Sequence, residues 1–373
     1  MSMFVRLHSL HVAALCAFAG FAAIAGCGST GDTAATSTGD TGKGGAGGVL
    51  TGVGGGDGGV GGTSVSSSSG QGGSGGAAKL GPPYPIVLAH GFFGFNDFAG
   101  LGFLSYFYGV KDYMEAHGEP LVFTPAVDPF NTSDYRGAQL EKAIEEILKA
   151  TGHEKVNIIG HSQGGLDARV VANLRPDLVA SVVTVATPHG GSRVADIALQ
   201  LVADPNAQDV LNELLKLIGM PLYDQIGNET NVILPLKLFS KEGIAAFNAA
   251  HPDEPDVFYA SIGGRTDLHL GGSVCKADVD LPFINDWAGK IDTVDPALSL
   301  FEELLDGGFG APYPNDGLVR VEDSKRGQFW GCLPADHLDE VGQLIGDSAG
   351  IGNSWDYQEF YAAVIAELRK RQF

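Results

Sequence analysis

Three serines of this chain stand in a pattern that can carry nucleophilic catalysis. The pattern G-x-S-x-G is centred on Ser74, Ser162 and Ser348. A serine in this pattern is reactive where a sharp turn between a strand and a helix exposes its hydroxyl. Ser162 follows an apolar run that predicts a strand and precedes a helical pattern, whereas Ser74 lies in a glycine-rich stretch. Ser348 follows a polar helical segment, and no histidine comes after it. The sequence therefore indicates Ser162 as the nucleophile.

A serine hydroxyl is a weak nucleophile at neutral pH, so it requires a base and an acid that orients the base. In a strand–turn–helix arrangement of this kind the chain order is serine, acid, histidine. His337 comes last among the histidines that follow Ser162, which are His189, His251, His269 and His337. The residues alone leave the acid open between Asp292, Asp295, Asp316 and Asp336. Asp316 is favoured by its position at the start of a predicted strand over 318–321.

The tetrahedral intermediate of acyl transfer carries an oxyanion, which needs N–H donors aimed at it. One donor is expected from the residue after the nucleophile, Gln163, and another from the loop after the first strand. That loop reads His90-Gly91-Phe92, so Phe92 is the second predicted donor.

The elements that must position these residues alternate along the chain. Apolar runs predict strands over 85–89, 121–127, 155–159 and 181–186, and helical patterns over 136–150 and 166–174 separate them. Continuous apolar strands between helices indicate a parallel sheet that is covered on both faces. An apolar stripe over 210–218 fits either a core helix or a mobile cap over the site.

Composition limits both the folded part and the class of function. The chain has 373 residues, and 21 of the residues in 28–79 are glycine while none there is aromatic. Such a stretch cannot bury enough apolar surface to fold, so we expect a flexible tether over 27–79 and a single domain over 80–373. The formal net charge is −21, and the first 79 residues carry as many acidic as basic side chains. An acidic domain of this kind excludes nucleic-acid binding.

The first 26 residues predict a lipoprotein-type signal peptide. A basic start precedes an apolar stretch over 12–26, which is too short to span a bilayer. The segment Ile24-Ala25-Gly26-Cys27 resembles the bacterial lipobox, in which the cysteine becomes the lipid anchor. Gly28 follows in place of an aspartate, which favours the outer membrane or the cell surface. The alternative is a secreted protein that an ordinary signal peptidase releases.

Two cysteines remain in the domain, Cys275 and Cys332. In an oxidising compartment a pair of cysteines is expected to form a disulfide.

Several blocks in order resemble the secreted bacterial triacylglycerol lipases of the Pseudomonas and Burkholderia type. They lie at residues 84–91, 156–165, 176–182, 187–192, 315–319 and 337–340, and the resemblance extends over essentially all of 84–350. The resemblance implies an α/β-hydrolase fold, with a mostly parallel sheet and helices on both faces. It also implies Asp316 and His337 as the partners of Ser162, and a helical lid over about 193–250.

The same resemblance implies a structural calcium ion near the histidine. Its expected ligands are the carboxylates of Asp295 and Asp339 and the backbone carbonyls of Gln343 and Asp347. Such hard oxygen ligands suit Ca²⁺. Some relatives also need a dedicated foldase chaperone, which is a further implied partner. The chain departs from these relatives by having Glu322 where they place a disulfide cysteine, and by a shorter segment between His251 and Asp295.

These observations predict a carboxylic ester hydrolase of the triacylglycerol lipase kind, which acts on lipid or ester at an interface through an acyl-enzyme. Alternatives within the class are a polyester depolymerase and a short-chain carboxylesterase. An alternative from another class is an inactive surface binding module, and the intact serine, aspartate and histidine argue against it.

Overall fold

The computed structural model describes residues 79–92, 106–203, 233–266, 272–287, 289–307, 313–343 and 353–373. The signal peptide, Cys27 and the tether up to residue 78 lie outside these ranges. So do the apolar stripe at 210–218, Asp347 and Ser348.

A parallel sheet of six strands forms the centre of the described domain. Its strands are β1 Ile86–Ala89, β2 Val122–Phe123, β3 Val156–His161, β4 Val179–Val185, β5 Phe258–Gly264 and β6 Gln328–Leu333. The strand order is β2-β1-β3-β4-β5-β6, and every neighbouring pair is parallel. The carboxyl ends of all strands therefore meet at one edge, where such sheets place their sites.

Helices cover both faces of this sheet. They are α1 Val110–Ala116, α2 Ser133–Thr151, α3 Gln163–Leu174, α4 Arg193–Ala203, α5 Ile233–Phe239, α6 Lys241–Ala250, α7 Pro282–Asn285, α8 Ser299–Asp306 and α9 Tyr357–Lys370. Successive residues of β1 enter different apolar clusters, Leu88 with residues of α1 and α9, and Val87 with residues of α2 and α3. No helix in the described ranges has the length and apolar character that crossing a membrane requires.

The predicted helix over 136–150 is confirmed as α2. It buries the apolar face that its spacing indicated and ends at Gly152, whose φ of 76° lies in the left-handed region. The predicted lid range contains α4, α5 and α6, which share an apolar cluster with Leu166 and Val170 of α3.

Two strand predictions need correction. Residues 318–321 do not form a strand, because the Asp316 carboxylate accepts the N–H groups of Leu318 and Val319 at 2.8 and 2.6 Å and so folds the segment into a turn. Strand β2 has 2 residues rather than the seven predicted over 121–127. Pro125 lacks the N–H that a longer ladder would use.

Candidate active site

Ser162 lies on the turn between the last residue of β3 and the first residue of α3. Its φ of 54° and ψ of −128° are a strained conformation for a residue that carries a Cβ atom. The turn packs closely on β1, since a Cβ atom at Gly164 would collide with the carbonyl oxygen of Ala89. The N–H of Ser162 donates to the carbonyl of Val185 at 2.9 Å, and the carbonyl of Ser162 accepts from the Thr187 hydroxyl at 2.8 Å. The local structure is the strand–turn–helix context in which a serine hydroxyl is exposed for attack.

His337 and Asp316 form a buried pair. The Nδ1 atom of His337 lies 2.8 Å from Oδ2 of Asp316, and the backbone N–H of His337 donates to the Asp316 carbonyl at 2.9 Å. Asp316 is completely buried, and its Oδ1 atom accepts two backbone N–H groups from its own turn. Because a carboxylate only accepts, Nδ1 carries the proton and Nε2 is left with a lone pair. This is the arrangement that a general base requires.

The histidine also lies beside the serine turn. The ring of His337 is 4.6 Å from the ring of His161, which is the residue before Ser162. The structure therefore brings together the three residues that the sequence singled out for nucleophile, base and acid, at the carboxyl end of the sheet.

The predicted oxyanion donors belong to two segments that touch at Ser162. Gln163 begins α3, where backbone N–H groups have no partner within the helix. Its buried side chain donates to the Asn131 carbonyl at 2.8 Å, which ties α3 to the loop before α2. In the other segment, a Cβ atom at Gly91 would collide with the Ser162 side chain. The residue after it, Phe92, is therefore held close to the serine.

A buried arginine holds the loop that carries Phe92. Arg136 of α2 donates through Nη2 to the carbonyls of His90 and Gly91 at 2.6 and 3.1 Å. Its Nε donates to Asp167 of α3 at 2.8 Å, and its Nη1 donates to the Asp128 carbonyl at 2.9 Å. We call the segment His90-Gly91-Phe92 the oxyanion loop. The guanidinium of Arg136 thus joins the oxyanion loop to α3, the helix that follows the nucleophile.

His90 of the same loop makes a hydrogen bond in which its ring is uncharged. Its Nε2 atom accepts the N–H of Val127 at 3.0 Å. Burial and the neighbouring Arg136 charge lower the pKa of His90 to about 3, so this ring is neutral at physiological pH.

A second buried cluster lies next to the His337 turn and consists of carboxylates. Asp292, Asp336 and Asp339 each place a carboxylate oxygen within 4.8 Å of the others. Asp336 accepts the N–H groups of Leu338 and Asp339 at 2.9 and 3.0 Å. Burial and the charge of Asp295 raise the pKa of Asp336 to about 8. Carboxylates packed in this way match the hard oxygen donors of a divalent cation.

The structure places the predicted calcium ligands differently from one another. Asp339 belongs to the carboxylate cluster, and Gln343 lies four residues further along the chain. The Asp295 backbone N–H donates to Asp336 at 2.7 Å, and the charge of Asp295 contributes to the raised pKa of Asp336, while Asp292 supplies the third carboxylate of the cluster. The geometry therefore brings Asp292 together with Asp339, with Asp295 beside the same cluster.

The structure joins Cys275 to Cys332 as a disulfide, with the Cα atoms 5.2 Å apart. Cys332 lies on β6, the edge strand of the sheet. The Asp278 N–H donates to the carbonyl of Phe329 on that strand at 2.8 Å, and Phe329 donates back to the Asp278 carboxylate at 2.8 Å. The bond therefore fixes a loop that covers the sheet edge.

Comparisons with known proteins agree with this architecture. A family model described as alpha/beta hydrolase fold matches residues 84–225. The triacylglycerol lipase of Vibrio cholerae is 32% identical over 275 residues, which is 70% of this chain and 81% of that protein. The triacylglycerol lipase of Pseudomonas fragi is 32% identical over 278 residues, covering 70% of this chain and 88% of that protein. The chain belongs to the triacylglycerol lipase family. The enzyme is an ester-hydrolysing serine hydrolase, as the sequence predicted.

Further relatives extend the comparison. The triacylglycerol lipase of Burkholderia plantarii is 30% identical over 295 residues, covering 70% of this chain and 80% of that protein. Among solved structures, a metagenomic carboxyl esterase, MGS0156, has a TM-score of 0.52 at 18% identity and covers 79% of this chain and 77% of its own. At that identity the structural likeness supports the α/β-hydrolase fold of the enzyme, which was also predicted.

Three residues of the enzyme's site were missed by sequence reasoning. Arg136 lay inside a predicted helix, Tyr106 lay in a segment without a distinctive pattern, and Glu340 lay in the block 337–340 without a role of its own. Charged residues on helices are usually exposed, so nothing in the sequence indicated that Arg136 would be completely buried. The role of Arg136 follows only from the tertiary contact between α2 and the oxyanion loop.

Proposed function

We propose that the protein is a triacylglycerol lipase in which Ser162, His337 and Asp316 form the catalytic triad. The observation that supports this most is the buried His337–Asp316 pair at 2.8 Å beside the strained turn of Ser162. This geometry supports acyl transfer, and the family relationship supports the class of substrate.

In the proposed reaction the Ser162 hydroxyl attacks the ester carbonyl while Nε2 of His337 takes its proton. The tetrahedral intermediate collapses to an acyl-enzyme, and the alcohol leaves with the proton from His337. Water then attacks the acyl-enzyme with His337 again as base, which releases the acid and restores Ser162. Asp316 keeps the proton on Nδ1 and stabilises the imidazolium that forms in each half-reaction.

The oxyanion of both intermediates is bound by the N–H groups of Phe92 and Gln163. Such donors contribute most when the protein holds them in place before the reaction, because no reorganisation is then needed. Arg136 and the side chain of Gln163 provide that rigidity through the contacts described above.

Apolar side chains around the site support a substrate with an apolar acyl group. The ring of Phe92 lies edge-on to Phe130 and to Phe239, each at 5.9 Å. Leu318 and Leu338 follow the triad acid and base along the chain, and both are partly buried in the same apolar cluster as Phe92. These residues offer a wall along which a fatty acyl chain can lie.

A panel of esters tests the substrate class. The lipase proposal predicts hydrolysis of emulsified long-chain glycerides, and Ser162→Ala serves as the inactive control. Activity confined to soluble short esters identifies a carboxylesterase, and release of soluble products from a polyester film without glyceride hydrolysis identifies a depolymerase. A wild-type protein that neither hydrolyses esters nor reacts with a fluorophosphonate is a binding module, and the proposal is then wrong.

The proposal includes a structural calcium ion held by the carboxylates of Asp295 and Asp339 and the carbonyls of Gln343 and Asp347, with Asp292 completing the carboxylate cluster. Three buried carboxylates within 4.8 Å of one another repel each other, and burial together with the charge of Asp295 raises the pKa of Asp336 to about 8. A bound Ca²⁺ neutralises the cluster and links the segment of Asp292 to the turn after His337. It takes no part in the proton transfers.

Thermal melting with and without a chelator tests the ion. Calcium stabilises the folded state by RT ln(1 + [Ca²⁺]/Kd), about 2.7 kcal/mol at a hundredfold excess over Kd. Asp295→Asn and Asp339→Asn should each abolish this gain. If the melting curve of the wild type does not respond to the chelator, the calcium proposal is wrong.

The helices α4–α6, together with the residues between α4 and α5, are proposed as the lid.

We further propose export, with Cys27 lipidated at the outer membrane and residues 27–79 as the tether. Folding with a dedicated foldase is a separate proposal. Spontaneous refolding of the purified, denatured enzyme to full activity would contradict it.

A further inference from the structure

His161, the residue before Ser162, makes two buried hydrogen bonds to residues outside its own strand. Its Nε2 atom lies 2.8 Å from Oε2 of Glu340, and its Nδ1 atom lies 2.7 Å from the hydroxyl of Tyr106. His161 and Glu340 are at most 1% exposed, and Tyr106 is 9% exposed. The contacts therefore lie out of reach of bulk water.

The two partners of His161 belong to the other parts of the active site. Glu340 lies on the 3₁₀ turn Asp339–Val341, directly after the segment that carries His337. The Tyr106 hydroxyl packs against Gly91, the residue before Phe92, since a Cβ atom at Gly91 would collide with it. A series of close contacts thus runs from the oxyanion loop through Tyr106 and His161 to the turn of the catalytic histidine.

The ring of His161 is suited to a fixed bridge. Burial and the neighbouring His337 lower its pKa well below the usual value, so the ring is neutral. A neutral imidazole has one N–H donor and one acceptor nitrogen. The Tyr106 hydroxyl can donate or accept, and a carboxyl group can accept or, when protonated, donate. Either tautomer therefore completes both hydrogen bonds, and the bridge needs hydrogen bonding rather than an ionic charge.

We propose that His161 and Glu340 are positioning residues that hold the turns of Ser162 and His337 and the oxyanion loop at a fixed spacing. The proposal rests on the assignment of Ser162 and His337 as nucleophile and base. These two residues are 175 positions apart in the chain and lie on different segments. A direct bond between their near neighbours is the shortest available constraint on their separation. Misplacement of reacting groups by about 1 Å can cost about 100-fold in rate.

The test compares Glu340→Ala with Glu340→Gln, in excess Ca²⁺ so that the adjacent Asp339 keeps its environment. The alanine variant removes the bridge, whereas the glutamine amide can still donate to or accept from His161. We measure kcat and KM on a soluble short ester, and the rate constant for labelling of Ser162 by a small fluorophosphonate. Labelling reports the Ser162–His337 pair without the contacts of a long substrate.

The expected result is a fall of about 10- to 100-fold in kcat and in labelling for Glu340→Ala, with KM nearly unchanged. Glu340→Gln should recover both to within about threefold of the wild type. Tyr106→Phe removes one hydroxyl and keeps the ring, so it tests the other end of this series of contacts should Glu340→Ala fail to fold. We expect it to slow labelling by a smaller factor.

The matched control is Ser181→Ala. The hydroxyl of Ser181 on β4 donates at 2.7 Å to Asn157, which lies on the same strand as His161 but at the opposite end of β3. This variant should lose thermal stability while kcat and labelling stay unchanged.

Two results would overturn the proposal. Glu340→Gln as slow as Glu340→Ala would mean that the charge of Glu340, and not the bridge, supports the rate. A folded Glu340→Ala with normal labelling would mean that the bridge positions nothing. Failure of the proposed function is distinct from both, since the wild type itself would then be unreactive.

Discussion

Ser162 has two destabilising features, a strained backbone and a tightly packed turn, that a residue with a purely structural role would not need. Its φ of 54° is strained for a side chain with a Cβ atom, and its turn leaves no room for side chains at the neighbouring glycines. The hydrogen bonds to Val185 and Thr187 hold the strained turn in place. Strain that the surrounding structure maintains in this way marks a site where exposure of one hydroxyl matters more than stability.

Ser162→Ala should abolish ester hydrolysis, with a loss of several orders of magnitude in kcat, because no other group can form the acyl-enzyme. Ser348→Ala, at the competing sequence match, should keep nearly all activity. The measurement is the initial rate on a soluble ester, with folding checked by circular dichroism. Retained activity in Ser162→Ala would show that the wrong serine has been assigned.

His90 should make the stability of the enzyme depend on pH. Its pKa is about 3 when folded, lowered by burial and Arg136, against about 6.5 when unfolded. The unfolded state therefore takes up a proton that the folded state refuses, and stability is lost as pH falls below 6.5. The contribution of His90 is about 2 kcal/mol between pH 7 and pH 5.

Urea unfolding of wild type and His90→Asn at pH 7 and pH 5 measures this effect. The variant should lose less stability on acidification than the wild type by about that amount. His117→Asn, at the exposed end of α1, should behave as the wild type does. Equal losses in all three proteins would contradict the prediction.

At the scale of elements, the parallel sheet brings separate turns to one edge, and side chains then lock the turns together. The sequence predicted the nucleophile turn well, because a strand, glycines and a helix lie within a few residues of one another. It could not choose the acid, because Asp292, Asp295, Asp316 and Asp336 all lie around the same buried region. What separates Asp316 from the other three is its Oδ2 atom, which lies 2.8 Å from Nδ1 of His337.

Arg136→Lys should fold but lower kcat by about 10- to 100-fold. Lysine keeps a positive charge near Asp167 but lacks the planar fork that reaches two carbonyls of the oxyanion loop. The matched control is Arg169→Lys on α3. Arg169 is also buried, but it donates to Asn248 and the His251 carbonyl on the far side of the helix.

Kinetics on a soluble ester and melting curves separate the two arginines. Both variants should lose stability, and only Arg136→Lys should lose kcat. A similar fall in kcat for both would mean that the loss follows from general loosening of α3.

The Cys275–Cys332 disulfide closes a separation of 57 residues. Chain entropy alone gives a stabilisation of about 4 kcal/mol, as an upper value. The double variant Cys275→Ser/Cys332→Ser should therefore unfold at lower urea concentration while keeping the triad intact. Peptide mapping without reductant that finds two free thiols in the exported enzyme would contradict the bond.

At the scale of the whole molecule, the acidic folded domain follows a long glycine-rich segment. The net charge of −21 falls entirely on the part after residue 79, which keeps the domain soluble and repels it from anionic surfaces. The proposed attachment to a membrane would therefore depend on the lipid at Cys27 rather than on charge. The sequence predicts this anchor from a short local motif, whereas the buried network around His161 depends on contacts between residues far apart in the chain.

Cys27→Ala should release the enzyme from the membrane without changing its chemistry. A tether of about 50 residues has a root-mean-square span of about 40 Å, so the anchor and the active site are mechanically separate. We therefore expect wild-type enzyme in the outer-membrane fraction, labelled by a fatty-acid analogue, and the variant unlabelled with the same kcat on a soluble ester. Cys16→Ala is the matched control, since Cys16 lies within the predicted signal peptide and should leave anchoring intact. If the wild type is already soluble and unlabelled in the medium, the enzyme is secreted and Cys27 is not an anchor.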